Sequence, residues 1–255
     1  MQRYFIKLSY NGSAYNGWQI QKNAPVTVQA VLEENLSKIL REKIYLVGCG
    51  RTDTGVHATQ FYAHFYTGNK EIVSDPVTTL HKFNMVMPHD IAINAIIPVE
   101  YKAHARFDAT ARTYKYFIHK KKDPFLYNRS CLYHYDLDID KMNDACKVLF
   151  EYTDFTSFSK SRTQTNTNLC TIMFAEWTKE GEQLVFTIKA NRFLRNMVRA
   201  IVGTMLKIGK GEMTNDEMRK VIEAKQRAEA GVSVPANGLY LVKVDYPEDV
   251  FKINE

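Results

Sequence analysis

The chain has 255 residues, 45% of them apolar and 24% charged. That is an ordinary globular balance, which excludes a disordered, collagen-like or low-complexity chain. No apolar run is long enough to span a membrane, and the first residues lack a basic head followed by an apolar stretch, so we expect neither a span nor a secretory signal. Lys and Arg outnumber Asp and Glu by 34 to 28, and residues 104–210 carry 18 basic against 11 acidic residues. A basic middle with 15 Tyr and 14 Phe suits a polyanion with bases to stack. The four cysteines, Cys49, Cys131, Cys146 and Cys170, form no Cys-x-x-Cys pair. They read as buried residues or isolated thiols of a cytoplasmic protein.

Residues 3–10 alternate as a strand. Asn11-Gly12-Ser13 signals a turn. Thr27 caps a helix whose apolar stripe runs from Val28 to Leu40. Strands are expected at 44–49 and 58–66, joined by a loop from Gly50 to Gly55. Asp75-Pro76 opens a second helix, to about Asn84, and 91–97 is a β-branched strand. The second half repeats this β-α-β-β-α-β order. It has a strand at 112–119, a helix capped by Asp140, and a hairpin of 169–178 and 183–190 around Gly181. An apolar helix from Arg192 to Ile208, a shorter helix after the Thr214 capping box, and a strand at 239–246 complete it. Two split β-α-β halves, as in ferredoxin-like and RNA-recognition folds, are the α+β expectation. They divide as 1–103 and 104–255, with 98–111 the expected boundary.

The most unusual segment is Gly50-Arg51-Thr52-Asp53-Thr54-Gly55-Val56-His57. Glycines at its ends free the backbone for tight geometry. Strands on both sides could present Asp53 as a reactive carboxylate. The same residues also fit an Asx-turn in which Asp53 bonds its own backbone. Asp53-Thr54-Gly55 spells the aspartic-protease triplet, but that chemistry needs two carboxylates sharing a proton. Arg192, Arg195 and Arg199 fall along one side of the expected apolar helix. They read as a solvated edge, as cations facing phosphates, or as one Arg reaching into a cleft to pair a carboxylate. Lys120-Lys121-Lys122 and Lys160-Ser161-Arg162 are further basic clusters. The histidines lack metal-ligand spacing and no phosphate-cradling glycine motif occurs, so neither metal nor nucleotide cofactor is expected. His57 reads as a general base or, on the plainer view, a structural histidine.

In order along the chain, the Gly50–Ala58 segment resembles the signature of the tRNA pseudouridine synthase A family. Tyr10-Asn11-Gly12 with Gly17-Trp18-Gln19 resembles the family's N-terminal stretch. Ala105-Arg106-Phe107 and Ala111-Arg112-Thr113-Tyr114-Lys115-Tyr116 resemble its middle motif. Asn196-Met197-Val198-Arg199 with Gly203 resembles its helix, and Gly238-Leu239-Tyr240-Leu241 its last strand. Thr54 departs from the family, which more often has Ala there. Arg192 and Arg195 match no family position.

The resemblance implies the pseudouridine synthase fold, a largely antiparallel central sheet flanked by the two halves. It implies isomerisation of uridine to pseudouridine at positions 38–40 of the tRNA anticodon arm, by a homodimer and without cofactor or metal. It makes Asp53 the essential carboxylate and Arg199 the arginine that pairs with it, stabilising and aiming its charged form. Tyr114 becomes the residue that packs against the flipped target base, and Arg51 a contact to that nucleotide or its phosphate. A non-catalytic RNA-binding protein of the same architecture is the competing reading. It has use for the basic face and the aromatics but not for Asp53.

Overall fold

A computed structural model describes residues 1–69, 71–160 and 167–252. It contains two compact units, Met1–Thr110 with Leu241–Glu255, and Ala111–Tyr240. The expected halves, 1–103 and 104–255, run differently, because the chain after Tyr240 packs with the first unit. Both units are α+β with mostly antiparallel strands, as expected.

The first unit contains β1 (Gln2–Tyr10), α1 (Val28–Leu40), β2 (Val47–Gly48), β3 (His57–Thr67), α2 (Glu71–Ser74), α3 (Pro76–Val86) and β4 (Ile91–Val99). β1 lies between β4 and β3, antiparallel to both, with Ile6 opposite Ile96 and Ala63. β2 adds a short antiparallel pairing to β3. The expected 44–49 strand is cut to these two residues. Leu46 instead donates its N–H to the Glu33 carboxylate on α1, at 2.8 Å, which takes it out of a ladder. α1 starts where sequence places it: the Thr27 hydroxyl accepts the Ala30 N–H, and Arg41 ends the helix in the left-handed region. Its buried Val28, Leu32, Leu36 and Leu40 recur every four residues, which is one helix face. Asp75 caps α3 with Pro76 in the first turn.

The second unit contains β5 (Ala111–His119), β6 (Cys131–Leu132), α4 (Ile139–Val148), β7 (Ile172–Glu180), β8 (Gln183–Ala190), α5 (Met197–Gly209) and α6 (Asn215–Glu223). β8 lies between β5 and β7, antiparallel to both, and β6 runs parallel to β5. Residues Gly181 and Glu182 make the hairpin turn, with Gly181 at φ +61°. The helix cap expected at Asp140 belongs to Asp138, whose carboxylate accepts the Lys141 N–H at 3.0 Å. Asp140 sits in the first turn instead, where a negative charge still suits the helix dipole. Almost every residue of α5 is buried, as a helix apolar all round requires. The Thr214–Glu217 capping box of α6 is present. β9 (Leu239–Asp245) starts in the second unit and continues into the first.

All four cysteines are buried and none forms a disulfide. Among the described residues no helix is long and apolar enough to cross a membrane.

Candidate active site

In the first unit the Gly50–His57 segment is a loop whose far end is a β-turn. The Val56 N–H donates to the Asp53 carbonyl at 3.1 Å, and Gly55 sits at the third position with φ +79°. A positive φ at that position is what a type II turn demands. The turn is closed by the Asp53 backbone carbonyl, and Asp53, half-buried, stands at its first position.

The loop is gripped along its length by residues 10–18. The Tyr10 and Thr52 hydroxyls are 2.8 Å apart, both buried. Trp18 N–H donates to the Thr52 carbonyl at 3.2 Å, and Gly55 N–H donates to the Tyr15 carbonyl at 3.3 Å. Gly12 N–H donates to Nδ1 of buried His57 at 3.1 Å. That bond makes His57 a structural group, with its Nδ1 committed to a backbone amide.

Two glycines make the grip possible. A Cβ on Gly12 would lie 2.0 Å from the Val56 carbonyl oxygen. A Cβ on Gly17, at φ +83°, would lie 2.4 Å from the Thr52 carbonyl oxygen and 3.1 Å from the Asp53 carbonyl carbon. Backbone touches backbone at both places, which only glycine permits. Gly50 is different: it has no positive φ, and a Cβ there meets nothing within 4 Å. Trp18 completes the support. It is buried and stacks on Phe61 of β3 at 4.0 Å between ring centroids. Tyr15 is tied down by a 2.5 Å bond from its hydroxyl to the Asp90 carboxylate, and burial together with Asp90 raises its phenol above the ordinary range.

Arg51 is exposed on the same loop. Tyr114 and Arg199 belong to the second unit. Tyr114 lies on β5 opposite Ile188, half-buried, with its ring edge-to-face against Phe193 at 5.1 Å and 85°. Arg199 is in the first turn of α5. Its Nε donates to the Val234 carbonyl at 2.7 Å, while Val234 N–H donates to the Arg199 carbonyl at 3.2 Å. The neighbouring Pro235 carbonyl accepts the buried Tyr116 hydroxyl at 2.8 Å. Ser233 takes hydrogen bonds from Asn196 Nδ2 at 2.5 Å and Arg227 Nη2 at 2.6 Å. The 233–235 strap thus holds the Arg199 guanidinium through its Nε.

The expected row of three arginines on one helix does not form. α5 begins at Met197, because Asn196 takes a left-handed conformation with φ +68° and breaks the path from Arg192. Arg192 and Arg195 lie in the preceding non-helical segment, and the Arg195 carbonyl accepts the Lys160 N–H. Of the other basic clusters, Lys120 pairs with Asp136 at the surface, while Ser161 and Arg162 lie outside the described residues. Sequence reasoning attached no role to Tyr10, Gly12, Gly17, Trp18 or Val234. Tyr10, Gly12, Gly17 and Trp18 stand out in the sequence as part of the family-like N-terminal stretch, but that resemblance does not say what they touch.

Comparison with known proteins defines the class. Residues 145–247 match the family model described as tRNA pseudouridine synthase. Curated relatives extend the match to the whole chain. The "tRNA pseudouridine synthase A" of Parabacteroides distasonis is 54% identical over all of this chain and all of its own. That of Bacteroides thetaiotaomicron is 54% identical over 98% of this chain and 93% of its own. That of Porphyromonas gingivalis is 46% identical over 98% and 100%. The chain belongs to the tRNA pseudouridine synthase A family, isomerases that act on uridine in tRNA.

Proposed function

We propose that this protein converts uridine to pseudouridine at positions 38–40 of the tRNA anticodon arm, with Asp53 as the essential carboxylate. The observation that carries the proposal is the clamped 52–57 loop on a chain 54% identical, end to end, to a tRNA pseudouridine synthase A. A carboxylate that must meet one atom of a displaced nucleotide needs a fixed base, and effective molarity depends on such positioning.

In the isomerisation the bond from the ribose anomeric carbon to uracil N1 breaks, the uracil rotates, and a bond from that carbon to C5 forms. The proton on C5 leaves to solvent, and N1 takes one up. Atoms and charge balance without any co-reactant. Asp53 serves the glycosidic exchange. Tyr114 packs against the target base, which must leave its stack before a side chain can reach the sugar. Arg199 serves the reaction by stabilising and aiming the charged form of Asp53, and Arg51 contacts the target nucleotide or its phosphate. The basic stretch 104–210 supplies phosphate contacts. The working enzyme is a cytoplasmic homodimer.

The test uses an unmodified tRNA transcript carrying tritium at uracil C5. The wild-type protein releases tritium to water, and mapping the product places pseudouridine at 38–40. Asp53→Asn releases none while binding tRNA within about threefold of wild type. Binding weakens steeply with salt, as phosphate contacts require. Substantial release from Asp53→Asn would remove the catalytic assignment, and a salt-independent affinity would count against a polyanionic substrate.

A further inference from the structure

Residues 103–108 form a turn that holds an aromatic ring outward. Ala103 and Ala105 are buried, and Ala105 donates its N–H to Nδ1 of buried His64 at 3.0 Å. His104 Nδ1 accepts two backbone N–H groups, from Arg106 at 3.1 Å and Phe107 at 3.2 Å. Asp108 closes the turn: its carboxylate accepts the His104 N–H at 2.7 Å, and its own N–H donates to the His104 carbonyl at 3.1 Å. The Tyr246 hydroxyl braces the turn through the Ala105 carbonyl at 2.5 Å.

Beneath the turn is a column of rings. Phe5 stacks with His64 at 5.9 Å, His64 meets His104 edge-to-face at 4.7 Å, and His104 stacks on Phe107 at 4.2 Å and 29°. Buried Arg3 supports the column from the side. It donates to the Ala103 carbonyl, and its guanidinium lies 4.3 Å from the Tyr66 ring centroid. Phe107, at the top, is 75% exposed.

A single exposed apolar side chain is ordinary. This one is unusual in being immobilised: the backbone bonds to His104 fix the imidazole, and the imidazole covers one ring face. The alanines at 103 and 105 fill the inward positions, so the ring stays outside. The guanidinium of exposed Arg106 is 5.7 Å from the ring centroid, and exposed Lys102 lies on the same segment. An ordered, exposed aromatic ring with the Arg106 guanidinium 5.7 Å from its centroid matches a stacked base with a phosphate alongside. Pre-ordering spares the entropy of fixing the ring on binding.

We propose that Phe107 is a stacking platform for a nucleobase of the substrate RNA, with Arg106 contacting an adjacent phosphate. This rests on tRNA being the substrate. It assigns binding to a residue outside the Asp53 loop.

The test measures the dissociation constant of the full-length protein for unmodified tRNA transcript at fixed salt, with Tm beside it. Phe107→Ala and Phe107→Leu weaken binding about 5- to 150-fold, the range for losing one stacked base. Phe107→Trp stays within about threefold of wild type. All three keep Tm within about 2 °C, since little of the ring is buried. Wild-type affinity in Phe107→Ala overturns the proposal. Wild-type affinity in Phe107→Leu overturns stacking, because Leu keeps apolar area without a ring. A loss of affinity accompanied by a large fall in Tm assigns Phe107 to the turn's structure and overturns it equally. Failure of the wild-type protein to bind or modify tRNA is a separate result, which strikes the functional reading first.

Discussion

Replacing Gly12 by alanine tests whether the geometry of the 52–57 loop matters to turnover. The new Cβ would stand 2.0 Å from the Val56 carbonyl oxygen. A carbon–oxygen contact needs about 3.3 Å, so roughly 1.3 Å must come from backbone movement. Both sides are backbone, and both are tied: Gly12 N–H to His57, and Val56 N–H to Asp53. Overpacking of this kind costs about 1–3 kcal/mol. At about 2–4 °C per kcal/mol for a chain of this size, Tm should fall by about 2–12 °C. A displacement near 1 Å at a reacting group costs about 100-fold in rate. Tritium release from the labelled transcript should therefore show kcat lowered about 100-fold, with KM for tRNA changed only a few-fold. Gly50→Ala is the matched control on the same loop, and with open space around its Cβ it should leave Tm within about 1 °C. Wild-type kcat in Gly12→Ala, or an equal loss of Tm in both variants, would refute the clamp argument.

Two further outcomes follow from named side chains. Tyr114→Phe should keep most tritium release and Tyr114→Ala should lose most of it, because the ring does the packing; equal losses would move the role to the hydroxyl. His64 is held down to about 3, first by burial and then by Arg3 and His104, against about 6.5 in an unfolded chain. Between those values the unfolded state binds the extra proton, so the stability His64 contributes is complete above about pH 6.5 and declines as pH falls. Tm of the wild type should drop between pH 7 and 5 more steeply than that of His64→Gln, whose amide oxygen can still accept the Ala105 N–H. Parallel Tm profiles would show that the buried imidazole is not the titrating group.

The features legible in the sequence are those set by neighbours in the chain. Thr27, Asp75 and Thr214 announce their helices because a cap bonds within three residues. The β-α-β-β-α-β order follows from periodicity and turn residues. Asp53 stood out because a carboxylate between glycines on a strand-to-strand loop is locally unusual. One error was local, the α4 cap placed two residues late at Asp140 rather than Asp138; others arose where a distant partner intervened. Residues 44–49 look like a strand, but Glu33 takes the Leu46 amide. Arg192 to Ile208 looks like one helix, but Asn196 turns left-handed with its amide bonded to Ser233, and the row of arginines goes with it.

Glycine shows the division most clearly. Sequence marks Gly50 and Gly55 as equals. Gly55 needs its positive φ, Gly50 stands in open space, and the glycines that grip the loop are Gly12 and Gly17, more than thirty residues away. Composition and local pattern determined that this is a basic, globular α+β chain with an unusual Asp53 loop, and the resemblance of its motifs to a family singled out the carboxylate to watch. Tertiary structure alone decided what holds the loop that carries it in place, and that Phe107 is exposed and stacked on a hydrogen-bonded histidine. Close approach of two backbones, and which face of a ring is covered, depend on residues far apart in the chain, and a local pattern carries no record of them.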